Sequence, residues 1–109
     1  MTNIYETTII VKPDLANDQM KTFTSSIDQF FTENSTSISY REDWGIKNLK
    51  FSIKKYSKGS FKFIRFISNT DFPKKLDGFL KFNNDCLRFL ITKSTNELEE
   101  TSPQINKDN

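Results

Sequence analysis

The chain has 109 residues, enough for one domain, and carries 16 basic and 14 acidic side chains. It has no histidine and a single cysteine, which excludes imidazole catalysis, histidine or thiolate zinc sites and an intrachain disulfide. Its three glycines stand singly, so no phosphate-cradling loop is present, and no run of about 18 apolar residues could span a membrane. We therefore expect no enzyme, no cofactor or metal, no small-molecule substrate and no membrane partner.

The charge is unevenly distributed along the chain. Residues 41–93 contain 13 basic and 5 acidic side chains, whereas residues 1–40 and 94–109 are each net acidic. A basic middle between acidic ends is typical of a nucleic-acid-binding surface or a charged protein interface. The alternative is a lysine-rich face that only keeps the protein solvated.

The first half of the chain predicts a strand, a helix and a long strand. Residues 4–11 alternate as in a strand that ends before Pro13. A helix from about residue 17 or 18, capped by Asn17 or Asp18, to residue 34 is predicted by an apolar stripe of Met20, Phe23, Ile27, Phe30 and Phe31. A strand then covers residues 38–53, and Gly45 predicts a bend or bulge in it.

The second half predicts a hairpin, a short helix and a last strand. Apolar and polar residues alternate on both sides of residues 54–59, which predicts a turn there with Gly59 in the left-handed conformation. The third strand ends near residue 68. Pro73 predicts the first turn of a second helix, and residues 86–93 form the last strand.

This order predicts an α+β fold of the ferredoxin-like, split βαβ type. It comprises a four-stranded antiparallel sheet with two helices on one face. We assign residues 1–94 to this domain and residues 95–109 to a flexible acidic tail.

The third strand carries a second signal in Phe61, Phe63 and Phe66. Together with Lys58 and Gly59 they partly resemble the aromatic signature with which RNA-recognition domains stack bases on this strand. The alternative is that these rings pack under the two helices.

Four blocks of sequence resemble the bacterial-type small-subunit ribosomal protein six family over about residues 3–94. They are Tyr5-Glu6 with residues 9–13, the stretch 44–53 (WGIKNLKFSI), residues 59–61 (GSF), and residues 80–85 (LKFNND) leading to 88–93 (RFLITK). The resemblance implies a structural constituent of the small ribosomal subunit that binds the central domain of small-subunit ribosomal RNA together with ribosomal protein eighteen. It also implies a location in the ribosome of a bacterial cytoplasm or of an organelle.

Candidate contact residues follow from charge and ring type. The basic candidates for ribosomal RNA phosphates are Lys47, Lys50, Lys54, Lys55, Lys58, Arg88 and Lys93. The candidates for the partner protein are Tyr40, Trp44 and Ile46, because aromatic side chains often dominate interface centres. The alternative function is a free-standing RNA-recognition-type module that binds single-stranded RNA by itself.

Overall fold

The computed structural model describes residues 2–94. The elements are β1 (Asn3–Val11), α1 (Asn17–Glu33), β2 (Ser37–Ile53), β3 (Tyr56–Ser68), α2 (Phe72–Lys81) and β4 (Cys86–Lys93). The predicted order is confirmed. The predicted acidic tail of residues 95–109 lies outside the described residues, so the division into domain and tail stays a prediction.

The four strands form one sheet in the order β2-β3-β1-β4, in which all neighbours are antiparallel. Both helices contribute buried side chains to a single core on one face of this sheet. The predicted ferredoxin-like fold is therefore confirmed, and no helix of the described residues covers the other face of the sheet.

The core forms where alternate residues of β1 meet the helices. Its buried side chains include Tyr5, Ile9 and Val11 from β1, Phe23, Ile27 and Phe31 from α1, and Phe72, Leu76 and Leu80 from α2. Phe66 of β3 is fully buried at the centre, with its ring 5.1 Å from that of Phe31 and 5.5 Å from that of Phe72. Such aromatic pairs let few residues fill a small core.

The helix ends differ in one respect from the sequence prediction. The residue that caps α1 is Ala16, not Asn17 or Asp18, and the Gln19 side chain closes the turn because its Oε1 accepts the Ala16 N–H at 2.9 Å. At α2 the predicted proline in the first turn is confirmed. Just before it, Asn69 Oδ1 accepts hydrogen bonds from the backbone N–H groups of Asp71 and Phe72.

The predicted hairpin exists, and its turn lies within the predicted residues 54–59 but is only two residues long. Lys54 and Lys55 form a two-residue turn with φ of 49° and 74°, between the paired residues Ile53 and Tyr56. The prediction that Gly59 adopts the left-handed conformation is wrong, because Gly59 lies inside β3 and its φ is not positive. A Cβ at position 59 would approach Ile10 Cγ2 to 2.4 Å, so the glycine makes room for a neighbouring strand's side chain.

The predicted bulge at Gly45 is confirmed. The register of β2 against β3 shifts between Asp43 and Gly45, and Gly45 has a φ of +78°. Glycine suits this position because the left-handed conformation is strained for residues with a Cβ.

The Thr7 hydroxyl is buried in the core, and no group in residues 2–94 forms a hydrogen bond with it. We expect Thr7→Val to raise the free energy of unfolding by about 1 kcal/mol, because it keeps the shape and removes an unsatisfied polar group. Urea unfolding measures this. Thr8→Val, on the opposite face of β1, is the control and should change the value by less than about 0.5 kcal/mol. A loss of stability in Thr7→Val would contradict the prediction.

Candidate functional site

The β2–β3 hairpin projects beyond the rest of the sheet. Val11 is the last β1 residue to pair with β3, opposite Ser60, so residues 47–59 have no pairing partner in β1. We call residues 47–59 the hairpin arm. Within residues 2–94 one side-chain hydrogen bond ties the arm to the body, from the Tyr56 hydroxyl to Asp14 Oδ2 at 3.3 Å.

The hairpin arm concentrates unpaired positive charge. It holds five of the predicted basic residues, Lys47, Lys50, Lys54, Lys55 and Lys58, and contains no acidic residue. Within residues 2–94 none of these five forms an ion pair. Four basic residues elsewhere do pair with carboxylates, namely Arg41, Lys62, Arg65 and Lys81. The basic middle of the sequence therefore becomes a localised positive surface on the arm.

The two other basic candidates lie at opposite ends of β4. Arg88 is exposed and pairs with Ile10, near the base of the hairpin arm. Lys93 pairs with Tyr5, five residues or about 17 Å further along β1. The structure thus places Arg88 near the arm, whereas Lys93 lies at the other end of the sheet.

The helix-free face of the sheet carries an aromatic cluster of Tyr40, Trp44, Phe61 and Phe63. The Trp44 ring stacks against Phe63 at 5.5 Å and against Phe61 at 6.5 Å, and the Tyr40 ring meets Phe63 edge-on at 6.3 Å. The cluster is on this face because Phe61 and Phe63 pair with Ile10 and Thr8, which alternate with the buried residues of β1.

A single carboxylate holds the two rings of β2 in this cluster. Glu42 Oε1 accepts the Trp44 Nε1–H at 2.8 Å, and Glu42 Oε2 accepts the Tyr40 hydroxyl at 2.6 Å. Cations flank the pair, with Lys47 Nζ 5.5 Å from the Trp44 ring and Arg65 5.9 Å from the Tyr40 ring. The rings are therefore pre-oriented, which lowers the entropic cost of binding a partner.

The third candidate for the protein partner lies apart from this cluster. Ile46 pairs with Ser60, which itself pairs with Val11 on the helix-bearing face. Its side chain is 57% exposed there. The structure brings Tyr40 and Trp44 together and places Ile46 on the opposite face.

The aromatic residues of β3 divide between the two faces. Phe66 is buried under the helices, so it is unavailable for base stacking. Phe61 and Phe63 lie on the helix-free face, so the alternative that all three rings pack under the helices is wrong. A strand's period of two produces this division, because Phe63 and Phe66 are an odd number of residues apart.

Sequence reasoning missed the role of Glu42. The useful signal was the spacing of Tyr40, Glu42 and Trp44 at steps of two, which places all three on one face of a strand.

Asp43 secures the bulge that sets this geometry. Its Oδ1 accepts the Gly45 N–H at 2.9 Å, and its Oδ2 accepts from Lys62 Nζ at 3.0 Å. Burial alone would raise the pKa of Asp43, but these two hydrogen bonds and the Lys62 charge outweigh it and hold the pKa below its usual value of 3.8.

Other places where a site could lie are the cysteine thiol, the potential metal ligands, the helices and one crevice. Burial raises the pKa of the Cys86 thiol to about 11, so this thiol is protonated and weakly nucleophilic at neutral pH. Within residues 2–94 no cluster of three potential metal ligands occurs, and neither helix could cross a membrane. A crevice of about 330 Å³ beside α1 is lined in part by Ile9, Ile27 and Ile64. Two ion pairs also line it, Arg41 with Asp28 and Lys62 with Asp43.

Comparison with known proteins adds sequence evidence. The sequence pattern of the family described as Ribosomal protein S6 matches residues 4–93. The small ribosomal subunit protein bS6 of Aquifex aeolicus is 33% identical over 87 residues, which cover 79% of this chain and 79% of that protein. The bS6 protein of Trichlorobacter lovleyi is 30% identical over 96 residues, which cover 88% of this chain and 79% of that protein.

A solved structure supports the fold independently. The crystal structure of 30S ribosomal protein S6 from Thermotoga maritima aligns with a TM-score of 0.82. The alignment covers 97% of this chain and 99% of that chain at 19% sequence identity. At this identity the likeness establishes the shared fold alone.

The lowered pKa of Asp43 predicts an acid-dependent loss of stability. A carboxyl whose folded-state pKa is depressed stabilises the fold above its unfolded pKa of about 3.8, and this stabilisation is lost as the pH falls through the lower folded-state pKa. We expect Asp43→Asn to be less stable at pH 7 by up to about 1 kcal/mol and to lose less stability below pH 4 than the wild type. Urea unfolding between pH 2 and 7 measures both.

Asp77→Asn provides the matched control for this measurement. Asp77 makes an exposed, 3.9 Å ion pair with Lys81 on α2. The acid profile of this variant should follow that of the wild type. Identical profiles for Asp43→Asn and the wild type would contradict the assignment.

Proposed function

The chain belongs to the ribosomal protein S6 family, and we propose that it binds the central domain of small-subunit ribosomal RNA together with ribosomal protein eighteen. The family is one of structural ribosomal proteins, so a location in the ribosome follows, as for the bacterial relatives. The resemblance found in the four sequence blocks is thereby confirmed at the level of the family. The RNA and the protein partner are the proposal.

The observation that carries the RNA proposal is the unpaired charge of the hairpin arm. Ammonium groups without a carboxylate partner remain available to displace counterions from a phosphate backbone. Lysines act as point charges and read the path of the backbone more than the identity of bases. Arg88, near the base of the arm, extends the same positive surface along β4.

The conformation of the turn supports the same role. Lys54 and Lys55 both have positive φ, where glycine or asparagine would be less strained. Two adjacent like charges at the tip also repel each other. A strained, self-repelling turn gains stability when phosphates lie between its side chains, which is consistent with a binding function.

The aromatic cluster supports the protein partner. Tyr40 and Trp44 present amphipathic rings whose orientation is fixed by Glu42, which is typical of residues that dominate interface energetics. The cluster adjoins the arm through the contact of Lys47 with the Trp44 ring. One ligand on the arm and another on the cluster would therefore be neighbours, which favours joint binding.

The alternative is a free-standing module that stacks single-stranded RNA on β3. The helix-free position of Phe61 and Phe63 favours it, because RNA-recognition domains expose rings there. The packing opposes it, since Phe63 is only 6% exposed and Trp44 already stacks on both rings. A base would have to displace Trp44 before it could stack.

Salt dependence tests the RNA proposal. If about five phosphates are neutralised, a logarithmic plot of affinity for a central-domain fragment against salt should have a slope of about −4. Lys54→Gln combined with Lys55→Gln should reduce the magnitude of this slope by about 1.5 and weaken binding at low salt. Fluorescence anisotropy with ribosomal protein eighteen present measures both.

The matched control replaces two exposed lysines of α2, Lys74 and Lys75, by glutamine. This variant has the same net charge as the arm variant and should keep the wild-type slope. Equal losses in the two variants would mean that total charge, not the hairpin arm, governs binding.

Substitution of the aromatic cluster tests the protein proposal. We expect Trp44→Ala to weaken binding to ribosomal protein eighteen by at least about tenfold, because it removes a pre-oriented ring from the interface centre. Ile46→Ala, on the opposite face, should change affinity by less than about twofold. Isothermal calorimetry without RNA gives both values, and circular dichroism checks folding. A larger loss for Ile46→Ala would place the partner on the helix-bearing face.

A further inference from the structure

β2 contains an unusually large bulge inside the hairpin arm. Asn48 pairs with Lys58, and the next pair is Ile53 with Tyr56. Residues 49–52 of β2 therefore lie opposite Ser57 alone. A bulge of this kind interrupts the ladder and re-aims the side chains that it carries.

Phe51 lies in this bulge and is directed into solvent. Its side chain is 79% exposed, and within residues 2–94 it makes no ring stacking or cation–π contact. A solvated phenylalanine ring gains nothing for the fold. One exposed ring is ordinary on a protein surface, so its surroundings decide whether it suits a ligand.

The surroundings of Phe51 identify the chemistry of that ligand. Lys50 precedes the ring in sequence, and Lys54 and Lys55 follow at the tip, all exposed and without an ion pair within residues 2–94. An apolar ring among uncompensated cations suits a ligand that combines a flat π surface with negative charge. A nucleotide has both in one unit.

We propose that Phe51 stacks on an unpaired nucleobase of the bound RNA while Lys50, Lys54 and Lys55 contact the adjacent phosphates. This inference rests on the proposed RNA-binding function and adds a base contact to it. The base must be unpaired because the bases of an A-form duplex are stacked inside the helix and offer no free face. The arm then recognises a loop or bulge in the RNA, not a continuous duplex.

The inference differs from the stacking mode expected from the sequence. That mode uses the rings of β3 on the sheet, where Trp44 already covers Phe61 and Phe63. Phe51 is 79% exposed and lies in the arm, so it can contact an RNA base without any rearrangement of the sheet.

The test compares Phe51→Ala with Phe82→Ala in the full chain. Phe82 is the matched control because it is 84% exposed at the end of α2, outside the hairpin arm. Each variant is titrated into a central-domain fragment of small-subunit ribosomal RNA in the presence of ribosomal protein eighteen. Fragments with 2-aminopurine at single unpaired purines report stacking as a loss of fluorescence.

We expect Phe51→Ala to bind about 5- to 150-fold more weakly, with an unchanged salt slope, because a stacking contact is lost and no charge is removed. Phe51→Trp should restore the affinity, and Phe82→Ala should retain it. At least one 2-aminopurine position should be quenched by the wild type and by Phe51→Trp, but not by Phe51→Ala.

Three results would overturn the inference, and they separate it from the proposed function. If Phe51→Ala and the wild type bind the RNA with equal affinity and equal salt dependence, the stacking contact is wrong but the RNA-binding proposal is unaffected. Weaker binding of Phe51→Ala to ribosomal protein eighteen without RNA would make the ring a protein contact. Absence of RNA binding by the wild type at low salt would overturn the function and the inference together.

Discussion

The two-residue period of the central strands is the constraint on which the rest of the structure depends. β1 and β3 pair in register from Asn3 opposite Ser68 to Val11 opposite Ser60, so alternate residues of both strands share a face. One set, including Ile9 and Phe66, builds the core under the helices. The other set supports the aromatic cluster. A shift of one residue would exchange the two surfaces and remove both core and cluster.

Unequal strand lengths then separate the two proposed contacts. β2 and β3 continue past the last β1–β3 pair, and this extra length carries five of the lysines. The hairpin arm thus has charge and little packing, whereas the aromatic cluster has packing and internal hydrogen bonds. A basic element without carboxylate partners suits an RNA backbone, and a pre-oriented aromatic surface suits a folded protein. Trp44 and Lys47 join the two regions.

The sequence predicted the fold well because the fold depends on hydrophobic periodicity and on the glycine, proline and polar residues that separate the elements. The turn falls within its predicted range, but the predicted left-handed conformation occurs at Lys54 and Lys55 and not at Gly59. Gly59 is needed for another reason, its close approach to Ile10, which is distant in sequence and gives no local signal. The basic residues of the arm were predicted from charge alone. Their grouping, the separation of Lys93 and the exposure of Phe51 depend on strand register and bulges, which local sequence patterns do not determine.

Lysine footprinting of the full chain tests most directly whether the hairpin arm is the RNA contact. The chain is acetylated at limiting reagent, free and in complex with the central-domain RNA fragment and ribosomal protein eighteen, and each lysine is quantified by mass spectrometry. The account predicts strong protection of Lys50, Lys54, Lys55 and Lys58, with Lys74 and Lys75 of α2 equally reactive in both states. Protection of the α2 lysines while the arm lysines stay reactive would contradict it.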